Sequence, residues 1–406
     1  YIFVLALFVL LILSPIGSNK ILVVSGMYAP ELAIIPFCVF AFVRYYYFRL
    51  FVVKVIFSKK SFVILMLIII LFVLGTLQHG NIIASYSVAR SLVFFFLGWG
   101  LIVYLQKYFT EKQASFFIFC LVLLSTIYSL VYFLFISTGI KAPYSIPLML
   151  LIGLFSAKSK NPMLMTLGIL TICIMTVTSS YRAYWAYGVL MLIGIIAPQF
   201  LGIFSIQANK ILVHTKKISQ ILMFFTLGSL SVLIAYSSVF QWLESNSRRA
   251  HQIIYKFEQL YNTVRYGESL GISESDRLDQ ADFLFSNWEI FILPSGFYDR
   301  SDRFFGSLWS DNSTMAGGGS PINDGVYLYL AMTLGFSLSI IIVLFLLIGI
   351  IKKIISSNKN TFPIQVCIFI SLALVFIGQG AVLLVISQSF FFGILLAIQT
   401  NKRFVI

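Results

Sequence analysis

Charge is scarce in this sequence: only 10% of its 406 residues are charged, against about a quarter in a soluble domain. Acidic residues are the scarcest kind, fourteen in all. Twelve of them, Glu244, Glu258, Glu268, Glu274, Asp276, Asp279, Asp282, Glu289, Asp299, Asp302, Asp311 and Asp324, fall between Gln241 and Asp324. The three histidines, His79, His214 and His251, lack metal-ligand spacing, and there is no cysteine pair or His-Glu-x-x-His pattern, which argues against a zinc site. The four cysteines, Cys38, Cys120, Cys173 and Cys367, all sit in apolar runs and read as small buried hydrophobes, not as a disulfide framework. No Gly-rich phosphate loop with its lysine occurs, which argues against ATP or nucleotide-sugar chemistry.

What is abundant is apolar surface: 60% of residues are hydrophobic and the mean hydropathy is +0.97. This predicts an all-α, polytopic integral membrane protein. A span needs roughly 20 apolar residues at 1.5 Å rise each, and twelve candidates can be placed. They run about Tyr1 to Leu13, Pro30 to Phe48, Phe62 to Leu77, Ser85 to Leu105, Ala114 to Ile136, Tyr144 to Phe155, Pro162 to Val177, Ala183 to Phe200, Ile218 to Phe240, Gly325 to Ile351, Phe362 to Ile377 and Ala381 to Ile398. The first run has no basic leader before it and no small-residue cleavage pattern after it, so it is expected to be a retained span and not a signal peptide. The expected organisation is spans one to nine over 1–240, one large polar loop over 241–324, and spans ten to twelve over 325–406.

The net charge of +14 does not point to nucleic acid, because of where the charge lies. The segment from Gln241 to Asp324 nets −5, so the remainder nets +19, and that positive charge sits in short turns between apolar runs. One alternate set of turns holds Arg44, Arg49, Lys54, Lys59, Lys60, Lys107, Lys112, Lys158, Lys160, Lys210, Lys216, Lys217, Lys352, Lys353, Lys359 and the tail residues Lys402 and Arg403. The other set, outside the long loop, holds only Lys20, Arg90, Lys141 and Arg182. Short cytoplasmic turns are enriched in Lys and Arg, so the first set and both termini are expected inside and the long loop outside.

The loop itself has local order. Ile253, Ile254, Phe257, Leu260, Tyr261 and Val264 recur at helical spacing, which predicts an amphipathic helix lying on an apolar surface. Ser-Glu-Ser-Asp from Ser273 has capping-box spacing, and Arg277, Ala281, Leu284 and Trp288 then share a face. From Pro294 the chain reads as irregular, with Tyr298, Trp309 and Gly317-Gly318-Gly319 marking a flap.

Two arginines stand where a membrane protein avoids charge. Arg90 lies about a turn inside the fourth span and Arg182 opens the eighth; a charge at mid-membrane costs about 2.5–3.5 kcal/mol, less near the interface. Arg90 has two readings of equal weight, a snorkelling side chain and a ligand-binding one. Arg182 has polar neighbours, Thr178, Ser179, Ser180 and Tyr181, which favours a water-filled cavity. Guanidinium groups bind phosphate oxygens in a planar, bidentate way, so a lipid diphosphate in the outer leaflet is a natural ligand. Asp324 also has two readings, general base for an acceptor hydroxyl and N-cap of the tenth span. Tyr327 and Tyr329 read equally as interfacial belt residues and as sugar contacts. Trp309, in the flap, is the better candidate for stacking on a sugar ring, whereas Trp288 reads as packing. His251, beside Arg248 and Arg249, reads as a solvated face.

Taken together, the Ser180-Tyr181-Arg182-Ala183 turn, Arg277 in a helical stretch of the large loop, and the Ser-Pro-Ile-Asn-Asp-Gly-Val-Tyr-Leu-Tyr-Leu re-entry from Ser320 resemble the bacterial O-antigen polymerases of the Wzy type. The related O-antigen ligases share the outline but show His-Asn where this chain has Asn323-Asp324. The resemblance implies a glycosyltransferase of lipopolysaccharide biosynthesis in the bacterial inner membrane, with its large loop periplasmic. Its activity would be polymerisation of lipid-linked oligosaccharide repeats without a metal or other cofactor. By position it implies that Arg182 and Arg277 bind the undecaprenyl diphosphate of the donor and stabilise the departing charge; from their own places in the sequence, Arg90, Tyr327 and Trp309 are further candidate diphosphate or glycan contacts and Asp324 a candidate catalytic residue. The implied partners are the undecaprenyl-diphosphate-linked oligosaccharide, the bilayer and a chain-length-regulating co-polymerase of the Wzz type, with no nucleic acid. An O-antigen ligase is the alternative within the class. A lipid-linked oligosaccharide flippase is the alternative outside it, although transporters place their charges at mid-membrane across two related halves. A membrane sensor with an outer domain would explain the loop but not Arg90 and Arg182.

Overall fold

The computed structural model describes residues 59–79, 82–108, 146–159, 162–178, 182–204, 288–294, 296–297, 326–357, 361–378 and 386–400, with scattered positions in 39–53, 110–127, 262 and 286. Among the described residues there is no strand, and eight helices have 13 or more residues. They are α1 (Lys59–His79), α2 (Ile82–Tyr108), α3 (Ile146–Lys158), α4 (Pro162–Thr178), α5 (Arg182–Phe204), α6 (Val326–Ile355), α7 (Phe362–Gly378) and α8 (Ile386–Thr400). The all-α class expected from the sequence is the one observed. These helices correspond to expected spans three, four, six to eight and ten to twelve; the first and ninth spans, and most of the second and fifth, lie outside the described residues. One described stretch, Thr333–Ile355 within α6, is long and apolar enough to cross a bilayer alone; seven other apolar helical stretches have 10–17 residues.

Two helices form the centre. Every residue of α3 from Ile146 to Ser156 is buried, as is every residue of α8 from Ser389 to Gln399. Helix α8 packs on α2, α3 and α6, and α3 packs on α4, α5, α7 and α8, while α1 lies on α2. The α2–α8 contact is close because glycine occupies both sides: a Cβ on Gly98 would overlap the Phe390 carbonyl, and one on Gly393 would overlap the Phe95 carbonyl. Phe95 and Phe392 then pack across the seam with centroids 5.9 Å apart and rings tilted by 52°. The turns α3–α4 and α4–α5 are short, which makes those helices antiparallel neighbours. Their contacts are again glycine against a small polar side chain, Gly168 against Ser156 and Gly188 against Thr176. The hydroxyls concerned bond back to the preceding turn, Ser156 to the Ile152 carbonyl at 2.7 Å and Thr176 to that of Ile172 at 2.7 Å, so neither is left unsatisfied inside.

The contacts give the bundle two ends. At one, Thr400 of α8 lies against Gly349 of α6, and the ammonium of Lys158, closing α3, is within electrostatic reach of Lys353. The C-termini of α3, α6 and α8 therefore meet at one end. At the other, residues 292–294, 296 and 297 of the long loop sit against the late part of α1, the early part of α2 and the early part of α6. Thr333 and Lys353, twenty residues apart on α6, separate the two ends by roughly 30 Å of helix.

Candidate functional site

The loop end of the bundle is built from backbone as much as from side chains. A short 3-10 turn, Trp288–Phe291, leads in and lies on α6. Ile292 and Leu293 stay exposed, and Gly296 and Phe297 enter the bundle. Phe297 is fully buried; its N–H donates to the Leu71 carbonyl of α1 at 3.1 Å, and its carbonyl accepts from the Ser85 hydroxyl of α2 at 3.0 Å. The Gly296 N–H donates to the Thr333 carbonyl of α6 at 3.2 Å. Three glycines make room. Gly75 has no Cβ to strike the Phe297 backbone. Gly296 adopts φ 79°, and Gly335 adopts φ 77°, ψ 161°, a region essentially closed to other residues. Gly335 breaks the helical course of α6, and a Cβ there would lie 2.6 Å from the Ile292 carbonyl.

Three of the expected site residues fall at this end. Arg90 lies on α2 five residues beyond Ser85, about 7.5 Å along the axis, and is partly exposed between buried Ala89 and Ser91. It is eight residues past the start of α2, deeper than the single turn expected, because α2 begins three residues before the expected span. Arg182 is the first residue of α5. Since α3 ends at Lys158 and α4 and α5 each reverse direction, the start of α5 lies at the loop end. Tyr327 is in the first turn of α6 and half-buried. Tyr329 is fully buried, which makes it part of the packing and removes it as a sugar contact. Trp288, read from sequence as packing on a helical face, instead opens the 3-10 turn with 51% of its surface exposed. Arg277, Trp309 and Asp324 lie outside the described residues, as do the amphipathic helix around Phe257 and the start of the one from Ser273.

Glu289 is the one carboxylate among the described residues, and it is exposed at the loop end. Among the described residues no three His, Cys, Asp or Glu side chains gather as a metal site would need. The sequence marks this segment only by Pro294 and Gly296, which read as irregular chain, and carries no local signal for the break at Gly335. No protein-family model, curated protein or solved structure matches this chain.

Proposed function

We propose that the chain is a polytopic inner-membrane glycosyltransferase that polymerises lipid-linked oligosaccharide repeats on the outer face, as its resemblance to Wzy-type polymerases implies. The observation that carries the reading is the docking of the acidic loop. Its residues Gly296 and Phe297 are hydrogen-bonded into the bundle end that also holds Arg90, the start of α5 and Tyr327. The one described stretch of the acidic segment, which carries the exposed Glu289, is thus tied to the end of the bundle where Arg90 lies and α5 begins with Arg182. The outer faces of the flanking helices support a lipid setting: Ile69, Ile70 and Val73 of α1, Val189 and Ile193 of α5, and Ile341, Phe345 and Ile348 of α6 are all exposed, a larger apolar surface than water tolerates. The convergence of Lys158 and Lys353 at the opposite end supports a cytoplasmic assignment for it.

In this mechanism a hydroxyl of the acceptor repeat attacks the anomeric carbon of the donor chain, and the bond from that carbon to the undecaprenyl diphosphate breaks. Arg182 and Arg277 hold the diphosphate and offset the charge that develops on it; fixed donors aimed at a leaving oxyanion are often the largest catalytic term. The hydroxyl proton passes to a loop carboxylate, with Asp324 placed first by its position at the re-entry into α6.

Deleting the gene in its host and resolving the surface glycan on a gel tests the reading: a single-repeat product supports a polymerase, and loss of all surface glycan overturns it. Restoring the gene as Arg277→Lys, which keeps charge but loses the planar fork, should return little polymer, and Arg182→Ala less still, with the protein inserted in both cases. Full-length glycan from Arg277→Ala would remove that residue from the leaving-group site. Orientation is checked with an impermeant thiol reagent, which should reach cysteines introduced at Ser273 and Ser313 but not one at Ser357.

A further inference from the structure

We infer that the seated Gly296 and Phe297 and the break at Gly335 are two halves of one latch, closed only while α6 is broken, which couples this part of the chain to the course of that helix. This does not rest on the glycosyl-transfer reading. In an unbroken helix the Thr333 carbonyl would take the N–H four residues on, at Ser337. Here it takes the Gly296 N–H at 3.2 Å, and the backbone at Gly335 has left helical geometry. The exchange is reciprocal. Straightening α6 withdraws the acceptor that holds Gly296, and withdrawing the segment leaves the Thr333 carbonyl in an apolar interior, where an unpaired polar group is costly.

The conformations at the two glycines reinforce the link. Gly335, at φ 77° and ψ 161°, lies where the Ile292 carbonyl approaches to 2.6 Å of a would-be Cβ, so any side chain opposes both the break and the seated segment. Gly296 at φ 79° turns its N–H to α6 and, through the next residue, the Phe297 N–H to Leu71 of α1 and the Phe297 carbonyl to Ser85 of α2. Phe297, with no exposed surface, fills the space among the three helices. A segment held by three backbone or hydroxyl bonds and one aromatic side chain leaves as a unit, because releasing any one bond exposes the others.

The test is amide hydrogen exchange on the full chain in nanodiscs, read by mass spectrometry with fragmentation that separates Gly296 from Phe297. Both amides should be protected and should exchange at a common rate. Gly335→Ala removes the only residue that fits the break and should speed both by roughly 10- to 100-fold. Gly349→Ala, at the far end of α6, should leave both unchanged. Ser85→Ala deletes one side chain that bonds the Phe297 carbonyl and disturbs little else. It should speed Gly296 as well as Phe297, by about 2- to 12-fold, the scale of one lost hydrogen bond. This variant decides the matter where Gly335→Ala does not accumulate. Acceleration confined to Phe297, none at either amide, or Gly335→Ala protected like the parent would overturn the latch.

Discussion

Helices α6 and α8 draw on the same apolar residues but have opposite surroundings. Helix α6 runs 30 residues and turns Ile340, Ile341, Leu344, Phe345 and Ile348 outward. Helix α8 runs 15 residues, and from Ser389 to Gln399 none of it reaches the surface. The polar side chains follow the reverse rule from a soluble domain: Ser389 and Gln399 are buried in α8, while from Leu338 to Ile348 the exposed residues of α6 are aliphatic and aromatic. Helix α8 is sheathed by α2, α3 and α6, whereas α6 leaves a broad apolar face uncovered.

A single introduced charge separates the two surroundings and gives the largest expected effects. Leu395→Arg places an unpaired guanidinium in the closed centre and should cost about 3–5 kcal/mol, enough to stop accumulation of the folded chain. Ile341, 62% exposed, is the telling partner. If α6 faces lipid, Ile341→Arg should cost about 2.5–3.5 kcal/mol. If it faces water, the change should fall within about 0.5 kcal/mol, as surface substitutions do. Accumulation in membranes and thermal stability in detergent read both variants, and an innocuous Ile341→Arg would remove the lipid-facing assignment of α6.

Next in size is the seam that lets α8 be central at all. Gly393→Ala places a methyl on the Phe95 carbonyl, and backbone yields less readily than a side chain. The helices must part, the Phe95–Phe392 contact opens, and the cost should be about 1–3 kcal/mol, as for other overpacked interiors. A Gly349→Ala control meets only the side chain of Thr400, at 3.0 Å, and should cost less. Equal losses from the two would show that the α2–α8 approach is not specially tight.

The contrast between α6 and α8 was only half legible in the sequence. The places of the described helices were readable because apolar runs end where polar residues begin, but the bounds only in part: α4 and α7 fall within a residue of the expected 162–177 and 362–377, whereas α5 and α6 run four residues past their expected ends. Which helices sit inside was not readable, since lipid and protein interior select the same side chains and so leave no amphipathic stripe to read. The short expected sixth span carried a trace of it, being too brief to cross a bilayer alone, and α3 is indeed sheathed. Of the site, Arg90, Arg182 and Tyr327 were singled out because charge and aromatic residues near an interface are conspicuous. The break at Gly335 was invisible because Gly335 is one of several glycines in apolar runs, and nothing local distinguishes a φ of 77° from a helical one. Its cause, residues 292–297, is some forty positions away in the chain.

The smallest expected effect concerns the amide buried in α8. Gln399 has no exposed surface, and neither its Oε1 nor its Nε2 finds a hydrogen-bond partner among the described residues. A buried amide without partners costs free energy, and exchanging it for an apolar group of similar size can be neutral or stabilising. Gln399→Leu should therefore change stability by no more than about 1 kcal/mol, with the sign towards greater stability, and should leave insertion unaltered. Gln365 of α7, 1% exposed with its Oε1 unpartnered, should behave alike in Gln365→Leu. A loss of about 1–3 kcal/mol from Gln399→Leu, the scale of leaving a former partner unsatisfied, would mean that the amide bonds water or another group held in the centre. The comparison would then change, because α8 would be the wall of a hydrated interior and not a filler of dry space.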